Sequence, residues 1–154
     1  MMNNLNISLI GVPMDLGQNR RGVDMGPSAI RYAGVVERLQ EIGHTVTDEG
    51  NIQIAAAEKT ASPDTNLKNL KEVTDASTAL ANKIHDVMED GQLPLILGGD
   101  HSIAIGTLAG LGDRYENLGV IWYDAHADLN TGETSPSGNI HGMPLAVSIG
   151  LGHE

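Results

Sequence analysis

Two residue types that this 154-residue chain lacks narrow its class before any motif is considered. It has no cysteine, which excludes both a disulfide framework and a zinc–thiolate site. Phenylalanine is also absent and tryptophan occurs once, so the core must be built from Leu, Ile, Val, Ala and Met. The length is sufficient for a single domain with such a core.

Positive charge is scarce as well, since 9 Lys and Arg face 20 Asp and Glu and leave a formal net charge of -11. That balance excludes general nucleic-acid binding, which needs a basic face. The N-terminus lacks the basic and apolar regions of a signal peptide, and no apolar run approaches the length of a membrane span. We therefore expect a soluble, cytoplasmic protein that binds neither nucleic acid nor membrane.

Apolar runs and helical periodicities alternate along the chain. They predict strands at 7–12, 44–46, 93–97 and 118–123, and helices at 67–90 and 102–114. A further helix is predicted from Pro27 to a stop at Gly43, with its apolar positions at Ile30, Ala33, Val36, Leu39 and Ile42. The stretch from the end of the short strand at 44–46 to Asp64 is predicted as a surface loop. This order indicates an α/β fold with a parallel sheet and helices on its faces.

Two polar clusters follow predicted strands, at the place where parallel α/β sheets bind ligands. The first is Gly-Gly-Asp-His-Ser at 98–102, and the second contains Asp124, His126 and Asp128. In an extended strand, side chains two residues apart point to one face, so these three would converge. A divalent cation such as Mn²⁺ suits a mixed carboxylate and imidazole site, with His101 as a further ligand. The alternative is a solvated turn in which a backbone carbonyl satisfies His126.

Three segments together resemble the arginases of the ureohydrolase family, the bacterial type most of all. They are Arg-Arg-Gly-Val-Asp-Met-Gly-Pro at 20–27, Gly-Gly-Asp-His-Ser at 98–102, and the segment 124–144. Asp-Ala-His-Ala-Asp at 124–128 fits any ureohydrolase, agmatinases included, whereas Ser-Pro-Ser-Gly-Asn-Ile-His-Gly-Met-Pro at 135–144 resembles arginase specifically. The likeness runs from Ile7 to the last residue. It implies a single, partial arginase-like domain over 1–154, a truncated three-layer α/β/α sandwich.

The resemblance also implies an activity. In that family two Mn²⁺ ions activate a hydroxide that attacks the guanidinium carbon of L-arginine and gives L-ornithine and urea. A metal pair is suited to this because it lowers the pKa of bound water. The resemblance further implies a cytoplasmic homo-oligomer of arginine metabolism and the urea cycle, a trimer or a hexamer.

Carried over by position, the metal ligands are His101 and Asp128 for one ion and His126 for the other. Asp124 would bridge the two ions. His141 resembles the family's acid/base histidine, a role that imidazole suits near neutral pH. The alternative for His141 is a surface histidine at a helix start.

Three residues of the following loop resemble the family's substrate contacts. Asn130 and Ser137 match residues that bind the substrate's α-carboxylate, and Ser135 stands where a hydroxyl residue assists. Ordinary turn chemistry is the alternative for all three. Asp100 is open in the same way, because it can either orient a metal ligand or form a plain turn.

The chain departs from the family pattern at Glu154, since family members continue beyond this point. Their later part brings a Ser-x-Asp-x-Asp type motif, whose aspartates complete both metal shells, and acidic residues that bind substrate. One ion would here keep three protein ligands and the other two. We therefore expect an N-terminal fragment or truncated product, and this puts the activity of the isolated chain in question.

Other functions remain open from the sequence. Within the same chemistry, an agmatinase or another guanidino-substrate ureohydrolase is the alternative. A non-catalytic module that binds metal or pairs with a homologue belongs to a different class. A nucleotide-binding domain is the least favoured, because no Gly-x-Gly-x-x-Gly or Gly-Lys-Ser/Thr phosphate loop is present.

Overall fold

The computed structural model describes residues 4–55 and 66–152, which form an α/β fold. The strands are β1 (Asn6–Val12), β2 (Thr45–Asn51) and β3 (Leu93–Gly98). The helices are α1 (Gly26–Tyr32), α2 (Val35–Glu41), α3 (Leu70–Glu89), α4 (Ile103–Gly112) and α5 (Pro144–Ser148), with 3-10 turns at Val23–Met25 and Ile140–Gly142. None of the helices in these ranges combines the length and the apolar character that a membrane span requires.

β1 is the central strand of a three-stranded sheet with the order β2-β1-β3, and both pairings are parallel. It is buried from Ile7 to Val12, as expected of a strand with neighbours on both edges and helices on its faces. Val12 lies opposite Gly98, so β1 and β3 end at the same edge of the sheet. The strands predicted at 7–12 and 93–97 are confirmed, and the short strand predicted at 44–46 continues to Asn51.

Alternate residues of β1 face two different helical layers. Ile10 and Val12 belong to the core cluster that includes the buried face of α3. The opposite face is close to α1, because a Cβ atom on Gly11 would lie 2.8 Å from Arg31 Nη1. Helices therefore cover both faces of the sheet, in agreement with the predicted three-layer arrangement.

α3 presents one apolar face, since its buried residues recur at helical spacing. This face packs against α4, where two glycines allow the helices to approach closely. A Cβ atom on Gly106 would lie 2.5 Å from the carbonyl oxygen of Ser77, and one on Gly110 would lie 2.7 Å from that of Ala81. The helices predicted at 67–90 and 102–114 are both confirmed, with slightly later starts and earlier ends.

The single helix predicted after Pro27 is wrong in its continuity. The chain forms α1 and α2 instead, separated at Gly34, whose φ of 83° cannot belong to a right-handed helix. The five apolar positions do not form a buried stripe, because Ile30 and Ile42 are 39% and 59% exposed. Periodicity indicated the helical residues but not the left-handed break.

The fourth strand predicted at 118–123 is also wrong. These residues form no ladder with any strand of the described chain, and Ile121 and Tyr123 are almost fully exposed. Their apolar, β-rich composition satisfies the strand pattern, but a strand also needs a neighbour that supplies hydrogen bonds. Of the predicted surface loop, residues 47–51 belong to β2 and residues 56–64 lie outside the described ranges.

We expect Gly106→Ala to destabilise the fold by roughly 1–3 kcal/mol, because the added methyl group forces α4 away from the backbone of Ser77. Gly112→Ala is the matched control in the same helix, since a Cβ atom there meets nothing within 4 Å. Urea denaturation measures both free energies of unfolding. Equal stabilities of the two variants would contradict the close helix contact.

Arg31 joins α1 to the end of β2. Its guanidinium donates to Asp48 Oδ2 at 2.7 Å and Oδ1 at 2.8 Å, and also to Asn51 Oδ1 at 2.6 Å. These hydrogen bonds from Arg31 hold the pKa of Asp48 below its ordinary value. A lowered carboxyl pKa in the folded state stabilises the fold above the ordinary pKa of about 4, and this contribution is lost at lower pH.

We therefore expect Arg31→Gln to lower the free energy of unfolding by about 0.5–1 kcal/mol at neutral pH, since the pair is partly exposed. The difference from the parent protein should shrink at about pH 3, where Asp48 becomes protonated. Arg38→Gln, an exposed position on α2, removes the same charge as a control. A difference independent of pH would contradict this account.

Candidate metal and substrate site

The candidate site begins where β1 and β3 end together. The loop after β3 crosses the loop after β1 in backbone contact, because a Cβ atom on Gly99 would lie 2.5 Å from the carbonyl oxygen of Met14. Gly99 also has a φ of 23°, which disfavours other residues. The Asp100 amide donates to that same Met14 oxygen at 2.8 Å. The crossing fixes the backbone one residue before His101.

Asp100 joins these two loops with its side chain as well. One carboxylate oxygen accepts a hydrogen bond from the Gly17 amide at 2.8 Å. The other accepts from the amide of Ser102 at 3.0 Å and from its hydroxyl at 2.5 Å. All of these groups are buried, so the bonds are shielded from water. Of the two interpretations that the sequence left open, the observed contacts are those of a turn that also links two loops.

His101 meets two carboxylates. Its Nδ1 atom lies 3.0 Å from Asp124 Oδ2 and 2.7 Å from Asp128 Oδ2. One potential ligand atom from each of the three residues falls within 4.8 Å of the others. The structure therefore brings together three of the four predicted metal ligands.

The segment from Asp124 to Asp128 is not an extended strand, and the predicted alternation on one face is wrong. The chain bends at Ala125 and His126, and Asp128 adopts a φ of 50°. The Asp128 carbonyl accepts hydrogen bonds from the amides of Leu145 and Ala146, each at 3.1 Å, which ties the bend to α5. Convergence of the two aspartates on His101 thus comes from a turn rather than from strand periodicity.

His126 is close to Asp124 but is not part of the group formed by His101, Asp124 and Asp128. Its backbone amide donates to Asp124 Oδ1 at 2.8 Å, and this bond in particular lowers the pKa of Asp124. The imidazole Nδ1 lies 3.2 Å from the same oxygen, and the side chain is 83% exposed. His126 is thus near Asp124, the residue that was predicted to bridge two ions.

The cluster has the chemistry of a cation site. Asp128 Oδ2 is buried and has no hydrogen-bond partner among the described residues. It lies 2.7 Å from His101 Nδ1, but this approach does not have hydrogen-bond geometry. A buried carboxylate oxygen without a donor is costly unless a positive charge compensates for it. Two carboxylates and one imidazole therefore fit a divalent ion such as Mn²⁺.

The sequence did not predict the contact of Trp122 with the site, because Trp122 belongs to an apolar run that was predicted as a strand. The indole stacks on the His101 ring, with centroids 4.8 Å apart and an interplanar angle of 28°. Its Nε1 is buried without a hydrogen-bond partner in the described chain. A lone tryptophan two residues before Asp124 was the signal that could have placed it at the site.

All eight predicted site residues line one cleft of about 610 Å³. The cleft is open to solvent, and its walls combine the carboxylate cluster with the polar loop that follows it. The predicted residues on these walls are His101, Asp124, His126, Asp128, Asn130, Ser135, Ser137 and His141. These residues were predicted as metal ligands, substrate contacts and an acid/base histidine, and the structure places them around a single cleft.

Ser135 and Ser137 also form the local hydrogen bonds of a turn, which was the alternative interpretation of these residues. Ser135 Oγ accepts from the Gly138 amide at 3.1 Å, and Ser137 Oγ accepts from the Asn139 amide at 3.3 Å. In both contacts the hydroxyl oxygen is the acceptor, so each O–H can still donate. A structural role in the turn is therefore compatible with donation to a ligand in the cleft.

His141 lies in the 3-10 turn Ile140–Gly142 and is half-buried. Its amide and its Nδ1 atom approach the same acceptor, the Gly17 carbonyl oxygen, at 2.9 and 3.0 Å. A carbonyl can only accept, so Nδ1 carries the proton in this contact. The neutral ring then leaves Nε2 unprotonated, the state that a general base requires.

The chain is similar to known proteins in both sequence and fold. The family model described as the arginase family matches residues 5–153. The arginase of Bacillus subtilis (strain 168) is 66% identical over 148 residues, 96% of this chain and 49% of that protein. Among solved structures, native arginase from Bacillus caldovelox at pH 5.6 superposes with a TM-score of 0.93 and 62% identity, covering 97% of this chain and 50% of that one.

A more distant structure preserves the same fold. Entamoeba histolytica arginase in complex with L-ornithine superposes with a TM-score of 0.88 at 37% identity, over 99% of this chain and 52% of that one. The chain therefore spans about half the length of the relatives it matches. Because the family model covers almost every residue, the chain belongs to the arginase family.

Proposed function

We propose that this chain provides the metal-binding and carboxylate-binding part of an arginase-type ureohydrolase, which hydrolyses L-arginine to L-ornithine and urea. The observation that carries the proposal is the His101, Asp124 and Asp128 cluster, with ligand atoms within 4.8 Å, in a cleft beside a loop rich in polar groups. Relatives at 62–66% identity that are named arginases support the same activity.

The cluster would hold manganese, and His126 would serve a second ion by way of the neighbouring Asp124. Bound divalent ions lower the pKa of water and stabilise developing negative charge, which is the chemistry that hydrolysis of a guanidinium group needs. The unpartnered, buried Asp128 oxygen supports a cation at this place. Trp122 limits the movement of the His101 ring by stacking on it.

The remaining predicted residues would bind substrate and move a proton. Asn130, Ser135 and Ser137 offer neutral donors, which can orient an α-carboxylate without attracting the guanidinium end of the substrate. His141, with Nδ1 directed to the Gly17 carbonyl, would take and release a proton at Nε2. All four residues line the same cleft as the metal cluster.

The first prediction from this proposed function concerns metal binding by the 154-residue chain itself. Mn²⁺ should quench the fluorescence of Trp122, because this sole tryptophan stacks on a proposed ligand. Asp128→Asn should weaken the apparent Mn²⁺ affinity at least about tenfold, since it removes the charge of a buried ligand. Asp113→Asn, which removes an exposed carboxylate at the end of α4, is the control.

Quenching that is equally strong in the parent protein and in Asp128→Asn would contradict the assigned cluster. So would a loss of affinity of the same size in Asp113→Asn, because the quenching ion would then be held by diffuse surface charge. Circular dichroism of each variant separates lost binding from lost folding.

The second prediction concerns the reaction. The chain spans about half of the Bacillus subtilis relative. To supply the other half, we would replace the matching segment of that arginase with this chain and so make a chimera. The chimera should release urea from L-arginine with Mn²⁺, and much more slowly from agmatine, which lacks the α-carboxylate. Ser137→Ala in the chimera should raise the KM for L-arginine about tenfold, the effect of losing a donor to a charged group. Glu133→Gln, exposed on the same loop, should change neither constant.

Equal or faster release from agmatine would instead support an agmatinase-like specificity. A chimera that binds Mn²⁺ and releases no urea from either compound would support a non-catalytic metal-binding module. Activity of the 154-residue chain alone, assayed in parallel, shows whether its incomplete set of predicted ligands is sufficient.

A further inference from the structure

Asp100 does not line the cleft that holds the predicted site residues. Its carboxylate is buried, and both of its oxygens accept hydrogen bonds. Among the described residues, the Gly17 amide is the one donor to the first oxygen, at 2.8 Å. The other serves the amide and hydroxyl of Ser102. Hydrogen bonds to a charged acceptor are stronger than those between neutral groups, so this carboxylate holds the Gly17 backbone firmly.

Gly17 is enclosed on the same side. A Cβ atom on this residue would lie 2.6 Å from Asp100 Oδ1 and 2.8 Å from Ser102 Oγ. The backbone therefore sits against the carboxylate at a distance that any other residue would disrupt. Its amide is bound on one side and its carbonyl oxygen is directed to His141, as the donors at 2.9 and 3.0 Å show.

We propose that Asp100 is a positioning residue that acts through Gly17 to hold His141 as the Nδ1–H tautomer. The bond from Asp100 fixes the orientation of Gly17, and the Gly17 carbonyl selects the His141 ring nitrogen that carries the proton. Nε2 is then the nitrogen available to the cleft that His141 lines. The catalytic meaning of this device rests on the proposed function, in which His141 moves a proton.

Asp100→Asn is expected to remove the hydrogen bond that holds the Gly17 amide. An amide has one oxygen, whereas the carboxylate accepts hydrogen bonds on two sides. If that oxygen faces the two donors of Ser102, the NH₂ group meets the Gly17 amide, donor against donor. This orientation satisfies two donors rather than one, and in it the Gly17 backbone is released and no longer holds its carbonyl oxygen against the His141 ring.

The test reads the tautomer directly, without metal or substrate. Long-range ¹H–¹⁵N NMR of the 154-residue chain at about pH 8.5, where an ordinary histidine is neutral, distinguishes Nδ1–H from Nε2–H. A His141→Asn spectrum assigns the signal among the 6 histidines. We expect the Nδ1–H form to dominate in the parent protein. Asp100→Asn should raise the Nε2–H to Nδ1–H ratio roughly fivefold or more, the effect of losing one ordinary hydrogen bond.

Ser102→Ala is the matched control, because it removes one donor from Asp100 and leaves the Gly17 bond in place. Its His141 tautomer should match that of the parent protein. A predominant Nε2–H form in the parent protein overturns the proposal, and this result does not depend on any variant folding. An unchanged tautomer in folded Asp100→Asn, or an equal shift in Ser102→Ala, overturns the role of Asp100.

Failure of this proposal and failure of the proposed function remain distinguishable. Urea release by the chimera decides the activity, whereas the tautomer is measured in the absence of any reaction. An Nδ1–H tautomer that depends on Asp100 would support the device even if the chimera released no urea.

Discussion

Parallel pairing of β1 with β3 is the constraint on which the rest of this molecule depends. It ends both strands at one edge of the sheet, with Val12 opposite Gly98. The two loops that leave this edge then cross in backbone contact at Gly99, where a side chain would not fit. The crossing thereby brings His101, at the end of one loop, close to Gly17 in the other loop, whose carbonyl oxygen contacts the cleft residue His141. The positions of His101, beside the two aspartates, and of His141, which donates to Gly17, both depend on this crossing.

The second feature on which the site depends is the close approach of two carboxylates to His101. The chain places two carboxylates and an imidazole within 4.8 Å although its formal net charge is -11. Such a concentration of negative charge is unfavourable unless a cation shares the space. The backbone carbonyl of Asp128 is bound by the start of α5, and its buried Oδ2 has no donor among the described residues. This uncompensated oxygen supports the proposal that the cluster binds a cation.

Local sequence rules predicted β1, β3 and the two long helices because those residues carry their own signals. Buried apolar runs identified β1 and β3, and helical periodicity identified α3. The same rules failed at Gly34, where a single left-handed glycine divides a periodic segment. They also failed at 118–123, since an apolar, β-rich run becomes a strand only when another strand pairs with it. Neither outcome is encoded within a short window of sequence.

The sequence predicted which residues line the candidate site better than it predicted how they are arranged. The motif identified residues that all line one cleft, but Asp124 and Asp128 converge through a bend and not through strand alternation. Contacts between residues distant in sequence were beyond any motif. Gly17 binds Asp100 across 83 positions and accepts from His141 across 124. Only the fold brings these together.

The most direct test of the central claim is anomalous X-ray diffraction from crystals of this chain soaked in Mn²⁺. The account predicts a manganese peak within bonding distance of His101, Asp124 and Asp128, with the stacked Trp122 ring beside it. A peak confined to other carboxylates, with these three residues still in contact as described, would contradict the assignment of a metal site and with it the basis for arginase-type chemistry.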